Sequence, residues 1–326
     1  MSNRMKNILI IGACGQIGSE LTPVLRERYG NENVVAADIK HPESEKLLES
    51  GPFESLDIMD KPSIDKVIEK YNIDTIYNMA AILSAKGEKN PRACWDVNID
   101  GVLNVLQCAI DFDLARIIMP SSIAVFGPDT PRENTPNDTI LRPTTMYGVT
   151  KVCGERLCDY YVRRFGVDVR GLRYPGIISA ETLPGGGTTD YAVEIFYKAV
   201  EFGRYSCFLR EDTRLPMMYM PDCIEATLQL AEADFDNLIH HNDFNVSAFS
   251  FTPGELVECI KRYMPDFECT FEPDYRQEIA DSWPSSIDDT PAREEWGWKP
   301  KWNLDSMTKD MLEKLSKRHK EGRLYK

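Results

Sequence analysis

A glycine triplet set between an apolar run and a helix does most to limit what this chain can fold into. Ile8–Ile11 is an unbroken aliphatic run, followed at once by Gly12-Ala13-Cys14-Gly15-Gln16-Ile17-Gly18 and the helical stretch Gln16–Tyr29. A strand turning sharply into a helix leaves the first helical N–H groups exposed, together with their partial positive charge. Glycines let that turn close and let backbone approach a pyrophosphate. Three glycines in seven residues also make ordinary loops. With a strand before and a helix after, however, Gly12, Gly15, Gln16, Ile17 and Gly18 read as a dinucleotide-binding turn.

The rest of the first half repeats the strand–helix theme. Val34–Ala37, Thr75–Asn78, Ile117–Met119 and Val167–Leu172 are short β-rich runs, and Lys61–Lys70, Asn90–Phe112 and Thr145–Phe165 are helical stretches among them. Such alternation demands right-handed crossovers, so the expected fold is α/β, a Rossmann-type doubly wound parallel sheet over residues 1–173. After Arg173 the alternation loosens. Gly185-Gly186-Gly187 precedes a helix near Asp190–Phe202, Thr252 is a fair N-cap for another, and the Pro- and Trp-rich stretch Trp283–Trp302 reads as irregular. Residues 174–326 are expected to form mainly a smaller C-terminal α/β substrate-binding region, with some segments returning to the core.

Asp38 lies 20 residues beyond Gly18, at the end of the second strand. A carboxylate there accepts bonds from both adenosine ribose hydroxyls and repels a 2′-phosphate, which selects NAD over NADP. Lys40 nearby argues the other way unless it is a solvated turn lysine. Asp57-Ile58, after an apparent third strand, suits the adenine edge; Asp57 is equally readable as a turn aspartate.

Tyr147-Gly148-Val149-Thr150-Lys151 is the one Tyr-x-x-x-Lys in the sequence. Four residues apart on a helix, the two side chains share a face. A free phenol, with a pKa of about 10, is a poor base near neutrality. A neighbouring ammonium and a positive nicotinamide ring would both favour the phenolate. Lys151 is also placed to hold the nicotinamide ribose. Ser122, ending the strand that reads Pro120-Ser121-Ser122, can share a proton with a substrate hydroxyl; the alternatives are a capping serine and a surface Tyr/Lys pair.

Composition narrows the partners. A net charge of −14 opposes nucleic acid and anionic membranes, and no apolar run reaches the length of a membrane span. The nine cysteines are scattered without a Cys-x-x-Cys, the pattern of reduced thiols, and the four histidines lack metal-ligand spacing, so no metal is expected. The start of the chain runs directly into Ile8–Ile11, leaving no room for a signal peptide. The expected compartment is the cytoplasm, or a mitochondrial matrix if a presequence has been removed.

These residues resemble the extended short-chain dehydrogenase/reductase family, which contains UDP-galactose 4-epimerase. Within it the closest likeness is to short-chain L-threonine 3-dehydrogenases. The stretches that carry it are Ala80-Ala81-Ile82-Leu83-Ser84, Pro120 to Gly127, Arg173-Tyr174-Pro175-Gly176-Ile177 and Pro184 to Tyr191. The resemblance implies that Tyr147 is the general base, with Lys151 its partner and Ser122 completing the site. It implies that the glycine loop, Asp38, Asp57, Ile58, Ala80, Asn98, Tyr147, Lys151, Tyr174 and Ile177 hold NAD. Ser84, Ile123, Tyr147, Thr189 and Trp283 would line a pocket for L-threonine, whose 3-hydroxyl would be oxidised to give 2-amino-3-oxobutyrate. It also implies a homodimer built on the 90–112 and 145–165 helices, although their apolar positions could equally face the sheet.

Two rivals share the fold. A sugar-nucleotide dehydratase of this family has an Asp-Glu pair after the catalytic hydroxyl residue, where this chain has Ile123-Ala124. A sugar-nucleotide epimerase needs a base for the diphosphate, which Arg210, Arg214 or Arg293 could supply. A non-catalytic NAD sensor would have no need of Ser122, Tyr147 and Lys151 together.

Overall fold

The computed structural model describes residues 5–42, 45–183 and 185–325. Residues 1–4 and Pro184 of the glycine-run segment lie outside the described residues. In chain order the strands are β1 (Ile8–Ile11), β2 (Val34–Asp38), β3 (Phe53–Ser55), β4 (Thr75–Asn78), β5 (Arg116–Ile118), β6 (Ser121–Ser122), β7 (Val169–Arg170), β8 (Leu172–Tyr174) and β9 (Gly176–Ile178). There follow β10 (Arg204–Cys207), β11 (Leu215–Tyr219), β12 (Phe244–Asn245), β13 (Phe249–Phe251) and β14 (Glu268–Phe271).

A parallel sheet runs β3-β2-β1-β4-β5-β7, the doubly wound order with its reversal between β1 and β4. Its central strands are apolar on both faces because both are covered. Ile8, Ile10, Val34 and Ala36 enter one core with Leu21 and Leu25 of helix α1 (Gln16–Tyr29). Leu9, Ile11, Val35 and Ala37 enter another, with Ile64 and Val67 of the 61–71 helix. The period of two thus sorts a continuous aliphatic run into two layers.

Gly171 separates β7 from β8. A Cβ there would stand 2.2 Å from the Met119 carbonyl oxygen and 2.8 Å from that of Asn242, so only glycine lets the neighbouring strands approach. Beyond it, β8 lies between β6 and β12, and its register pairs Ser121 with Arg173 and Ser122 with Tyr174. The strand carrying the serine is therefore braced by the next parallel strand. A third core gathers β11 and the 191–202 and 304–320 helices; Ile123 and Tyr147 pack into it.

Gly171 splits the expected Val167–Leu172 strand between β7 and β8, and the chain differs from its sequence reading in two further places. The expected helix over 90–112 is divided: Pro91–Trp95, then a wide turn over Asp96–Asp100, then Gly101–Asp111. The wide turn is a π-type insertion that the apolar periodicity conceals. The stretch Trp283–Trp302, expected to be irregular, contains a helix at Thr290–Trp296, started by Pro291 near its N-terminus and ended by Gly297 in a left-handed conformation. Among the described residues no helix is long and apolar enough to cross a membrane.

Candidate active site

The glycine turn sits at the carboxyl end of β1, beside the reversal of strand order, where such sheets open a crevice. Gly12 has φ +86°, and a Cβ on it would lie 2.6 Å from the Ala80 nitrogen. A Cβ on Gly18 would lie 2.2 Å from the Gly12 carbonyl oxygen, so Gly18 allows α1 to start close under the turn. Helix α1 has no side-chain cap and no acidic residue in its first turn, which leaves its N–H groups for a ligand anion. This cradle, filled by any Cβ, fits the pyrophosphate of NAD.

Asp38 is buried at the end of β2. Its carboxylate accepts from the backbone N–H of Cys14 at 2.9 Å and of Lys40 at 2.9 Å, so it ties the glycine turn to the second strand. Each oxygen retains a lone pair for a hydroxyl donor. Gln16 donates to the Ile177 carbonyl at 3.5 Å, joining the turn to β9. Asp57 is exposed and accepts from the Met59 N–H, while Ile58 is buried against Gly101. Asp57 is therefore an Asx turn as the chain stands, with Ile58 providing the packing.

Two predicted cofactor contacts are placed differently from what residue type alone suggests. The Asn98 amide is spent on protein: it accepts from the Ile82 N–H at 2.8 Å and donates to the Ile82 carbonyl and the Thr150 hydroxyl. It thereby clamps the 80–84 loop to the helix bearing Tyr147. The Tyr174 phenol points into the core and bonds Thr227 at 2.5 Å, so that only its backbone, paired with Ser122, remains toward the crevice. Ala80 is half-buried beside Gly12, its N–H bonded to Asn78.

Helix α2 (Met146–Phe165) carries Tyr147 and Lys151, with Thr145 as its N-cap. Tyr147 is buried beside Ser122, whose hydroxyl accepts from the Ala124 N–H at 3.2 Å. Lys151 donates to the Pro120 carbonyl at 2.8 Å, and its nitrogen is 5.6 Å from the centre of the Tyr147 ring. Burial pushes the phenol up to about 12, against the opposing effect of Ser122. Burial also pulls Lys151 down to about 8. The capping role of Ser122 and its contact with Tyr147 coexist.

The predicted pocket residues fall in the core cluster and on the 84–89 and 176–191 segments. Ile123, Tyr147 and Trp283 belong to one buried cluster. Ser84 is buried and bonded to Thr188 at 3.2 Å, and Thr189 packs so tightly on Gly176 that a Cβ there would meet it at 2.8 Å. Gly185 and Gly186 lie over Leu83 and Lys86, while Asp190 accepts the N–H groups of Gly186 and Gly187, both at 2.7 Å. Thr188 and Asp190 were not singled out from sequence; the Gly-Gly-Gly-Thr-Thr-Asp run was the available signal.

Residues 8–247 match the model of the NAD dependent epimerase/dehydratase family. The chain belongs to that family. An uncharacterised epimerase/dehydratase of Staphylococcus saprophyticus is 51% identical over 97% of this chain and 99% of its own. Among solved structures, the L-threonine dehydrogenase of Clostridium difficile superposes with a TM-score of 0.94 at 51% identity, covering 97% of this chain and 99% of that one. The GalE-like L-threonine dehydrogenase of Cupriavidus necator, in its holo form, gives 0.92 at 48% identity over 95% of this chain and 99% of its own.

As a member of the epimerase/dehydratase family the chain can be tested against its sugar-nucleotide chemistry. Ile123 and Ala124 are buried and offer no acid or base next to Ser122. Arg210 pairs with Asp281 at 2.7 Å, Arg214 with Glu255, and Arg293 with Asp289 at 2.6 Å. Each of the three arginines available to a diphosphate thus already faces a carboxylate.

Proposed function

We propose that this chain is an NAD-dependent oxidoreductase that oxidises L-threonine at its 3-hydroxyl, giving 2-amino-3-oxobutyrate. The observation that carries the reading is the placement of Tyr147, buried beside Ser122 and one helical turn from Lys151, in the same core cluster as Ile123 and Trp283 and packed against Gly87 of the 84–89 helix that Ser84 begins. The L-threonine dehydrogenases of similar sequence and shape support it.

NAD, held by the glycine turn, Asp38 and Lys151, supplies the hydride acceptor. Tyr147 as phenolate takes the 3-hydroxyl proton, with Lys151 keeping the phenolate available. Ser122 bonds the same hydroxyl and orients it, and the buried aliphatic and indole walls exclude water while C3 is aligned. Ser84 and Thr189 are the polar groups proposed to meet the amino-acid end. The enzyme is proposed to act as a homodimer through the 101–111 helix and α2, on which Val149, Tyr160 and Phe165 are exposed.

The test is NADH absorbance on mixing protein, NAD and L-threonine, with UDP-sugars in parallel. NADH formed from threonine and lost in Tyr147→Phe supports the reading. Epimerisation of a UDP-sugar without NADH from threonine overturns it.

A further inference from the structure

Helix α2 continues the Tyr147–Lys151 spacing by one more turn to Glu155, which is 2% exposed. A carboxylate this deep needs partners, and it has strong ones. Arg173, 1% exposed on β8, donates to both of its oxygens at 2.8 Å, and Ser121 donates at 2.5 Å. The guanidinium is fixed in turn by the Asn137 carbonyl at 2.7 Å and lies over the Phe126 ring. Ser121 pairs with Arg173 across β6 and β8, so one ion pair locks helix, strand and neighbouring strand together.

The segment locked in this way is the one that grips the proton-transfer pair. Pro120 gives its carbonyl to Lys151, Ser121 gives its hydroxyl to Glu155, and Ser122 stands beside the Tyr147 phenol. Lys151 and Glu155 also line the same small cavity, of about 20 Å³, with Asn98, Ser121 and Asn242.

We propose that Glu155 is a positioning residue for proton transfer at Tyr147, holding the Pro120–Ser122 segment through Ser121 and presenting its negative charge to the Lys151 ammonium. This rests on the reading of Tyr147 and Lys151 as the proton-transfer pair. Cys158, Glu155 and Cys94 are the titratable groups that face Lys151. Burial pushes both thiols up, so they stay protonated, while Glu155 is the group of the three that forms a two-point ion pair, with Arg173. Around Glu155 itself stand Arg173 from β8, Arg156 from α2 at 3.8 Å, and, beyond Arg173, Asp243 at 3.7 Å.

The experiment compares Glu155→Gln and Ser121→Ala with wild type in the pH dependence of kcat/KM for L-threonine, alongside Tm and NAD affinity. Glu155→Gln is expected to move the limb near pH 8 down by about one unit, since an anion beside the pair is lost, and to lower kcat on the order of 10- to 100-fold. Ser121→Ala keeps the charge, so it should lower kcat several-fold with the limb in place, a larger loss than the small drop in Tm from one missing buried hydrogen bond accounts for. A limb unmoved in Glu155→Gln, with activity falling only as far as Tm does, overturns the proposal. So does wild-type kcat in Ser121→Ala, which also decides the matter if Glu155→Gln does not fold. If wild type ignores L-threonine, the substrate reading fails separately. Glu155 is then judged from the Lys151 titration in the NAD complex, followed by NMR of labelled lysine with Lys151→Met as blank: a lower midpoint in Glu155→Gln upholds the role, and an unchanged one overturns it.

Discussion

The Lys151 nitrogen stands 5.6 Å from the centre of the Tyr147 ring, and burial drives the two groups in opposite directions, the phenol to about 12 and the ammonium to about 8. The pair therefore loses its first proton near pH 8, and that once-deprotonated state includes the phenolate–ammonium form that can accept a proton from substrate. The rate with L-threonine should rise through about pH 8. In Lys151→Met the first proton must come from the phenol, so the limb moves toward about 12 and activity near neutrality nearly vanishes. Tyr147→Phe should cost on the order of 10²- to 10⁴-fold in kcat at every pH, the usual contribution of a positioned acid–base group. Initial rates of NADH formation across pH check all three.

The glycine turn gives a prediction about close packing. A methyl on Gly18 would lie 2.2 Å from the Gly12 carbonyl oxygen and 2.9 Å from the Ala13 Cα, both of them backbone atoms that cannot step aside cheaply. Gly18→Ala should destabilise the fold by about 1–3 kcal/mol and weaken NAD binding by more than about tenfold, because the turn must open. Calorimetric titration with NAD and a thermal melt separate the two effects.

Asp38 faces the same crevice with a charge. Its oxygens already accept from Cys14 and Lys40 N–H groups, so the carboxylate is held rigidly where an adenosine ribose would lie. Replacing it by Asn keeps one acceptor oxygen and removes the repulsion toward a 2′-phosphate. The ratio of kcat/KM with NADP to that with NAD should then rise by about tenfold or more. A ratio that does not change would remove Asp38 from cofactor selection.

What the sequence disclosed and what it concealed divide by distance along the chain. Gly12 to Gly18, Asp38, Tyr147 and Lys151 are found by spacing because each signal lies within one turn or one strand end, where geometry follows directly from period. The Glu155–Arg173 pair was invisible because it joins a helix to a strand 18 residues on, and nothing local marks either as buried. Asn98 was read as a cofactor contact, yet the π-type turn that aims its amide at Ile82 leaves no trace in an apolar pattern. For Tyr174 the resemblance names a residue without saying which atoms, and the phenol is turned to Thr227 in the core. The 290–296 helix is legible in principle, from Pro291 and Gly297, but four tryptophans and three prolines across 283–302 make the stretch read as irregular.

Adjacent histidines set a stability optimum that can be measured without any substrate. His240 bonds Glu295 at 2.5 Å and lies 3.4 Å from Asp138, and these carboxylates outweigh its burial and raise its pKa above the ordinary 6.5. A raised pKa gives stability that is complete below 6.5 and is lost as pH climbs through the folded value. His241 is lowered from 6.5 by burial despite Asp159, Asp168, Asp243 and Glu295 around it. Its contribution has the opposite sign, lost as pH falls below 6.5 toward the folded value, where a buried imidazole must charge. The melting temperature should therefore peak near pH 6.5 and decline on both sides. His240→Gln should flatten the alkaline side while leaving the acid side; His241→Gln should do the reverse. Thermal melts of the two variants between about pH 5.5 and 8 decide it, and an alkaline decline that persists in His240→Gln would show that the Glu295 pairing does not govern that window.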